Sequence, residues 1–396
     1  MHGATRAAPS ACEGMTTPQA RSIVSPLLIA VCALSAPSLH AAPPAPARVA
    51  PPKPAHDGVH DFDYAFGVWK EHTTRLKAPL TGSTTWGEAD GVSVIHPLLG
   101  GRAHLVEYEG DGANGHLSLI SIRTYDPESH QWRMNFSTPE RGALWPTSMV
   151  GEFQDGRGEL YSIDDINGRM ILVRCTLTPI SATSHRFEQA FSADGGRTWE
   201  TNWIDVYTRM SDAEAARVLA ERKAARTAAA AGRASVEGQH GFDFDAGRWK
   251  THITRRQKPL TGSTTWVDYD GTRVVHSLWD GRASLVELDA TGPAGRLQGI
   301  GLRLFDPRAR QWNLNWVSVA APTIGAPTIG GFHGTHGEFF DQEPFGDRTI
   351  LVRNVWDDVS PTATRLEQAF SADGGASWEA NWIATDTRTA PASDGW

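Results

Sequence analysis

Twelve side chains within apolar, strand-like segments have the chemistry to hold a small molecule, and they form six pairs of equivalent residues in two similar halves of the chain. Arginine offers a planar guanidinium to a carboxylate, glutamate and glutamine form hydrogen bonds, histidine titrates near neutral pH, and an indole stacks on a ligand. The candidate ligand-binding residues are Trp86, His96, Glu107, Arg123, Arg174 and Gln189, with their equivalents Trp266, His276, Glu287, Arg303, Arg353 and Gln368.

These groups line a cavity if their shared face points into a closed sheet. Ser121 and Gly301 stand two positions before Arg123 and Arg303 and leave room on that face, which favours an interior pocket. Two alternatives remain open. The same face points outward and meets water, or glutamates and arginines pair with each other across strands.

The strands that position these residues occur twice. Trp69 returns as Trp249, 180 positions later, and Thr81–Trp86 returns letter for letter as Thr261–Trp266. A period of this length is that of a domain rather than of a solenoid repeat. The sequence therefore predicts two copies of one domain.

The register between the copies is predicted to slip in loops. Phe153 matches Phe339 with a larger offset than the tryptophans have. Ala321–Gly325 is followed at once by an exact copy of itself, Ala326–Gly330, which indicates a loop insertion. We also expect the stretch from Asp155 to Gly168 to be shorter in copy two.

The first residues have the pattern of an export signal. Arg21 precedes an apolar run over residues 23–34, and small residues follow to Ala42. The run is shorter than the roughly 20 residues of a membrane span. We predict a signal peptide over residues 1–41 and a Pro/Ala-rich tether over 42–55, hence a periplasmic or secreted protein without a transmembrane span.

Composition excludes some partners. The net charge is −8 and no run of Lys or Arg occurs, which argues against nucleic acid. After removal of the signal only Cys175 remains, so no disulfide forms within the chain. Copy two has Asn354 at that place, so a role common to both copies does not depend on the thiol.

Residues 56–210 and 239–390 have the pattern of short alternating strands broken by turn signals, which predicts an all-β antiparallel barrel or sandwich in each copy. Residues 211–238 predict a helical linker, because Ser211 and Glu214 form a capping box and Gly232 is a stop signal. With few large apolar residues, this helix is expected to be a spacer or weakly docked. Residues 391–396 form a tail.

Barrel is favoured over sandwich by a resemblance. Each copy has a Gly-x-Trp motif in its first strand and an arginine in its last. The residues are Gly67, Trp69 and Arg209, and Gly247, Trp249 and Arg388. In them the chain resembles the calycin class of lipocalin-like closed barrels, where the tryptophan plugs one end and a basic residue of the last strand packs over it.

An ordered series of motifs narrows the resemblance: Phe-Asp-Phe-x-x-Gly-x-Trp, Gly-Ser-Thr-x-Trp, Asp-Pro-x-x-x-Gln-Trp and Glu-Gln-Ala-Phe-Ser-x-Asp-Gly-Gly-x-x-Trp-Glu. It is similar to a bacterial calycin-like family of unknown function and covers both copies nearly end to end. The resemblance implies tandem barrels and no established activity. Some related barrels hold haem through one histidine, but for His96 and His276 a satisfied strand-end residue is the favoured interpretation.

Two further motifs favour structural roles. Residues 192–199 and 371–378 fit the Asp-box of sialidase propellers, but one box per copy is too few for a propeller, and a tight hairpin is expected. His333 and His336 lack a third ligand at zinc-site spacing. No metal or other cofactor is predicted.

We therefore expect an exported tandem-barrel protein that binds a small, largely apolar molecule in one or both barrels. One alternative is an isomerase or hydrolase in which Glu107 and Glu287 act as acid or base near Arg123 and Arg303. The other is a structural or interaction module with filled cores. No nucleophile elbow, phosphate loop or dinucleotide fingerprint is present, which favours binding over catalysis.

Overall fold

The computed structural model describes residues 57–112, 115–232, 234–357 and 359–391. The predicted signal peptide and tether lie outside these residues, as does the tail beyond Pro391. Most of the described chain forms β-strands, because its β-branched and aromatic residues alternate with polar ones between Gly, Asn and Asp turns.

The first ten strands form a closed antiparallel meander, barrel 1, in which β1 pairs with both β2 and β10. Its strands are β1 Gly67–Leu76, β2 Trp86–Leu98, β3 Ala103–Gly112, β4 Gly115–Asp126, β5 Gln131–Ser137, β6 Met149–Gln154, β7 Arg157–Ile166, β8 Arg169–Ser181, β9 Ser184–Ser192 and β10 Glu200–Arg209.

The next ten strands repeat the arrangement as barrel 2, which closes between β11 and β20. Its strands are β11 Gly247–Arg256, β12 Trp266–Leu278, β13 Ala283–Gly292, β14 Gly295–Asp306, β15 Gln311–Ser318, β16 Thr328–His333, β17 His336–Phe345, β18 Arg348–Asp357, β19 Ala363–Ser371 and β20 Glu379–Pro391. The predicted fold class, two tandem antiparallel barrels joined by a helix, is confirmed.

The predicted slips of register are wrong. Gly151 pairs with Trp132 in barrel 1 as Gly330 pairs with Trp312 in barrel 2. The offset thus changes only from 180 to 179, between the fifth and sixth strands, and the match of Phe153 is Phe332.

With this alignment, the predicted insertion at residues 321–325 and the predicted shortening of the equivalent of residues 155–168 are both wrong. The second half of the duplicated Ala-Pro-Thr-Ile-Gly segment enters β16, and β7 and β17 each have ten residues. The sequence misled because Phe332 and Phe339 both lie in apolar strands of one hairpin. A single phenylalanine match does not choose between them.

One end of barrel 1 is closed by a tryptophan, as the resemblance implies. Trp69 is 1% exposed, and its Nε1 donates to the carbonyl of Ala65, in the 3-10 turn Asp63–Ala65, at 2.7 Å. The Arg209 guanidinium lies 4.0 Å from the Trp69 ring centroid. Gly67 has φ +114°, and a Cβ there would meet Arg209 Nη1 at 2.9 Å, so this position favours glycine.

Barrel 2 repeats the plug. Trp249 Nε1 donates to the carbonyl of Asp245 at 2.8 Å, and the Arg388 guanidinium lies 4.1 Å from the Trp249 ring. Asp245 ends the 3-10 turn Asp243–Asp245, so it occupies the place of Ala65 in barrel 1.

A single α-helix among the described residues, α1 Asp212–Ala231, connects the barrels. Ser211 Oγ accepts from the Glu214 amide at 3.3 Å, as the capping box predicts. The helix docks through charge rather than apolar packing: Arg222 and Arg226 both contact the Glu109 carboxylate of β3 at 3.1 Å. No described helix is both long and apolar enough to cross a membrane.

Equivalent outer faces of the two barrels pack against each other. Each buried residue from barrel 1 has its equivalent 180 positions later in the set from barrel 2. The residues are Leu98, Ala103, Leu105, Ile120 and Ile122, with Leu278, Trp279, Ala283, Leu285, Ile300, Leu302, Leu304 and Val317. The contact forms one apolar layer, because the outward side chains of β2–β4 and β12–β14 are aliphatic where most of the outer surface is polar.

Backbone contacts fix the register of this interface. Thr124 Oγ1 of barrel 1 donates to the Pro322 carbonyl at 2.8 Å, and Asn313 Nδ2 of barrel 2 donates to the Gly142 carbonyl at 2.9 Å. A Cβ on Gly142 would lie 2.1 Å from the Phe305 carbonyl oxygen, so the loop approaches the partner barrel too closely for any side chain.

The interface couples the barrels, and a charge within it will uncouple them. Ile122 is 1% exposed, and Ile122→Asp buries a carboxylate without a partner, so we expect a loss of about 3–5 kcal/mol and two calorimetric unfolding transitions in place of one. The control is Ile163→Asp, since Ile163 is 47% exposed on the outside of barrel 1. A single transition at the wild-type temperature in Ile122→Asp would mean that the barrels do not support each other.

Candidate functional site

Strand pairing decides which side chains face the interior of each barrel, because cross-strand partners share a face. Trp69 faces inward and pairs with Ser93. Glu71 and Thr73 follow at two-residue intervals and are buried. On β4, Arg123 pairs with His104 and is 8% exposed, so it also faces the interior.

Among the twelve predicted site residues, four point into the barrels: Arg123, Gln189, Arg303 and Gln368. The other eight lie on the outer faces, so for them the alternative of an outward face holds and the interior lining does not. The residues on the outer faces are Trp86, His96, Glu107, Arg174, Trp266, His276, Glu287 and Arg353.

The outward histidines and glutamates pair with each other. His96 Nε2 lies 3.2 Å from Glu107 Oε1, and the equivalent atoms of His276 and Glu287 lie 3.5 Å apart. Glu107 and Arg123 are on opposite faces of the sheet, so the predicted acid or base beside the interior arginine is not formed. The same holds for Glu287 in barrel 2.

The outward arginines and tryptophans form cation–π contacts at the surface. Arg174 lies 4.5 Å from the Trp199 ring, and Arg353 lies 4.7 Å from the Trp378 ring. Both tryptophans belong to the Asp-box hairpins, which form the tight turns expected of them. In the first, the Asp194 carboxylate accepts from the Thr198 amide at 3.0 Å.

The same kind of contact occurs at the start of β12. The Arg256 guanidinium lies 4.7 Å from the Trp266 ring, and Trp86, the equivalent of Trp266, is 38% exposed at the start of β2. These residues support the barrel rims from outside and do not reach the interior groups.

The interior of barrel 1 holds an acidic pair that the sequence analysis missed. Glu71 accepts hydrogen bonds from Ser93 and, at 3.4 Å, from Thr73. Asp205 of β10 pairs with Thr73 across the sheet and accepts from Trp203 Nε1 at 2.6 Å. The signal was present as a carboxylate two positions after the plug tryptophan, on the face that must be buried.

Both carboxyl groups have raised pKa values. Burial, and then the negative charge of Asp205, raise the pKa of Glu71 well above its usual value. Burial raises the pKa of Asp205 to about 6. Two carboxylates this close do not both ionise readily, so the pair retains a proton near neutral pH.

Arg123 is the central cation of barrel 1. Its guanidinium lies 4.6 Å from the Phe62 ring and donates no hydrogen bond to any residue that the structure describes. Burial lowers the pKa of Arg123. A guanidinium has five N–H donors, and burying them without hydrogen-bond acceptors is costly.

Further polar atoms around Arg123 are also buried without a hydrogen-bond partner in the described chain. They are Tyr64 Oη, His104 Nδ1, Ser121 Oγ and His185 Nδ1. Burial and the charge of Arg123 hold the pKa of both histidines down, to about 3, so both rings are neutral. Buried polar atoms in native proteins are generally hydrogen-bonded, so this cluster calls for an additional partner.

Barrel 2 pairs its interior charges with one another, although Arg273 Nε and Asp386 Oδ1 are buried without a hydrogen-bond partner in the described chain. Asp245 Oδ2 accepts from Arg273 and Arg303, each at 2.6 Å, and Oδ1 accepts from Arg273 at 2.7 Å. Arg273 also donates to Asp386 at 2.8 Å. Burial alone would raise the pKa of Asp245, but the two guanidinium charges lower it to about 2.

The barrels therefore differ at equivalent positions around one shared arginine, Arg123 or Arg303. The strand registers that pair Trp69 with Ser93 and Trp249 with Arg273 establish the equivalence. The places of Asp245, Arg273 and Asp386 are taken in barrel 1 by Ala65, Ser93 and Tyr207. Barrel 1 thus keeps the cation and lacks the carboxylate that holds it.

Two cavities lie between the barrels rather than inside them. One, of about 270 Å³, is lined by Tyr125 of barrel 1 and Pro322 of barrel 2, among others. The other, of about 580 Å³, is an open groove that includes Arg102, Arg296 and the outward Glu287. Glu287 thus contributes to a groove, though not to the predicted one.

The histidines of copy two do not form a metal site. His336 Nδ1 lies 2.6 Å from Asp357 Oδ1 at an exposed hairpin that also carries His333. Within residues 57–112, 115–232, 234–357 and 359–391, no group of three or more His, Cys, Asp or Glu side chains is placed to hold an ion.

Comparison with protein families and with curated proteins gives no match. Solved structures give distant ones. An S-type phycobiliprotein lyase from Guillardia theta is 12% identical and covers 40% of this chain and 99% of its own, with a TM-score of 0.28. A protein of unknown function from the DUF3598 family of Nostoc punctiforme is 9% identical and covers 84% and 100%, with a TM-score of 0.22.

A de novo designed fluorescence-activating β-barrel is also similar, at 12% identity over 39% of this chain and 99% of its own, with a TM-score of 0.22. Likeness at these scores carries no argument about function. The functional argument therefore depends on the interior groups of this chain.

Proposed function

We propose that the protein is exported and that barrel 1 binds a small molecule with an apolar body and one polar head, while barrel 2 is a structural partner. The observation that carries the proposal is the contrast at the shared arginine. Arg303 is held by a carboxylate of its own chain, whereas Arg123 is buried without one. Export is proposed from the N-terminal sequence alone.

The order of side chains along the interior of barrel 1 suits such a ligand. Arg123 lies near the plugged end, against the Phe62 ring, which in turn packs on Trp132. The acidic pair lies at mid-height. The opposite end is covered by apolar side chains that are only partly buried: Leu80, Phe136, Ile166, Phe191, Ala193 and Trp203. A molecule that enters there meets an apolar rim first and the guanidinium last.

Native mass spectrometry of the protein purified from its bacterial host tests this proposal. We expect a retained small molecule in the wild-type chain and its loss in Arg123→Met, because the guanidinium supplies the anchoring hydrogen bonds. Arg174→Met is the matched control, since Arg174 is an arginine on the outer face of the same barrel.

A wild-type spectrum with protein and water alone, after both lysate and lipid extracts have been offered, would refute the binding function. Retention of the same mass by Arg123→Met would instead place the ligand elsewhere, with the groove at Arg102 as the next site to examine. Recovery of the chain from the periplasm or medium with a new N-terminus near Ala42 tests export, and recovery of the uncut chain in the cytoplasm would contradict it.

A further inference from the structure

Each barrel buries an arginine near its tryptophan plug, Arg123 in barrel 1 and Arg303 in barrel 2, and the two barrels differ in what surrounds it. In barrel 2 the carboxylate of Asp245 accepts from Arg303 at 2.6 Å. Asp245 is the last residue of the 3-10 turn that precedes β11, so a side chain of the turn supplies the buried anion at the plugged end of barrel 2.

Barrel 1 has the same backbone turn at the equivalent place. Ala65 ends the equivalent turn, and its carbonyl accepts from Trp69 Nε1 at 2.7 Å, as the Asp245 carbonyl accepts from Trp249 Nε1 at 2.8 Å. Ala65 is 1% exposed, so the position that lacks a carboxylate in barrel 1 is buried at the plugged end of the barrel.

We infer that the ligand of barrel 1 carries a carboxylate, which binds Arg123 at the place that the Asp245 carboxylate occupies beside Arg303. This inference rests on the proposed function and specifies its ligand class. The carboxylate accepts from the Arg123 guanidinium and from hydroxyl groups beside it, Tyr64 and Ser121, whose oxygens are buried without a partner in the described chain.

The example of barrel 2 favours a carboxylate over other polar heads. There the two arginines face the carboxylates of Asp245 and Asp386. In barrel 1 a ligand carboxylate gives Arg123 the acceptors that Asp245 gives Arg303, whereas a dianionic phosphate adds more repulsion from Glu71 and Asp205 and a cation is repelled by Arg123.

We expect the rest of the ligand to be apolar because large apolar side chains of the barrel 1 core pack beside the polar groups around Arg123. Its guanidinium covers the Phe62 ring, and Met134 pairs with it across the sheet. Trp132, Phe153 and Leu160 complete this part of the core. The ligand class is thus a monocarboxylic acid with a hydrocarbon body.

Isothermal titration of the full chain with acetate, butyrate, hexanoate and octanoate, each beside its primary amide, tests the inference. We expect the best acid to bind at least about tenfold more tightly than its amide, since the amide lacks the charge that pairs with Arg123. Ala65→Asp should abolish acid binding and raise the thermal midpoint of barrel 1, because the new side chain takes the ligand's place.

Ala65→Asn, of the same size without the charge, is the control and should not raise the midpoint. Arg123→Met should also lose acid binding, and circular dichroism checks that it folds. This second variant tests the inference if Ala65→Asp misfolds. Equal binding of acids and amides, or wild-type acid binding by Ala65→Asp, would overturn the carboxylate assignment while leaving the binding function intact. Failure of every probe together with an empty native mass spectrum would end both.

Discussion

Asp245→Asn will destabilise barrel 2 by about 3–5 kcal/mol, the typical cost of removing one partner from a buried ion pair. The Asp245 carboxylate is fully buried and holds both Arg273 and Arg303. Without its charge, two buried guanidinium groups face the single carboxylate of Asp386. Urea denaturation followed by tryptophan fluorescence measures the loss, and an unchanged denaturant slope would show that the unfolded state is unaffected.

Asp243→Asn provides the matched control. Asp243 belongs to the same 3-10 turn, two residues earlier, and its carboxylate pairs with His240 where both side chains are about half exposed. An exposed pair of this kind contributes about 1 kcal/mol or less. If the two variants lose the same stability, the buried cluster is not what holds barrel 2 together.

The second large effect is a pH dependence of stability that comes from barrel 1. Glu71 and Asp205 have pKa values raised in the folded state, so the stability that they contribute is present at low pH and is lost as pH rises through those values. His104 and His185 act in the opposite direction. Their lowered pKa values reduce stability below the unfolded histidine pKa of about 6.5.

The window from about pH 7 to about pH 8 therefore isolates the acidic pair best, since the histidines are then mostly neutral in both states. One proton retained only by the folded state gives a slope of about 1.4 kcal/mol per pH unit, so we expect a fall of up to about 1.4 kcal/mol across the window. Urea unfolding at three pH values in the window measures it.

The double variant Glu71→Gln with Asp205→Asn should flatten this dependence, because neither amide titrates. Glu109→Gln, which removes an outward carboxylate of the same barrel, should leave it unchanged. A wild-type profile that is flat in this window, or a double variant with the full slope, would mean that the pair is ionised in the folded protein.

The fold was predictable from the sequence because its signals are local and occur twice. Strand alternation, turn residues and the Gly-x-Trp motif each indicate a barrel, and the second copy repeats them. The location of Arg123 followed from the same reasoning, since small Ser121 two positions earlier indicates an interior face.

The rest of the site depends on register, which the sequence does not specify. Glu107 and Arg123 lie on neighbouring strands, and a shift of one residue in their pairing would exchange the face of either. The position that distinguishes the barrels, Ala65 in one and Asp245 in the other, belongs to a turn outside the strands. The hydrogen bond from the plug tryptophan to its carbonyl holds it at the plugged end. Strand periodicity does not predict the role of a residue in such a turn.

The apolar layer between β2–β4 and β12–β14 has a consequence for how the two halves were able to specialise. In an association of two identical subunits, every substitution appears on both sides at once, so a change that opens one binding site also removes the ion cluster that stabilises the other. Covalent fusion through α1 separates these fates. One copy keeps Asp245 and its ion cluster, and in the other copy Ala65 leaves Arg123 without that carboxylate.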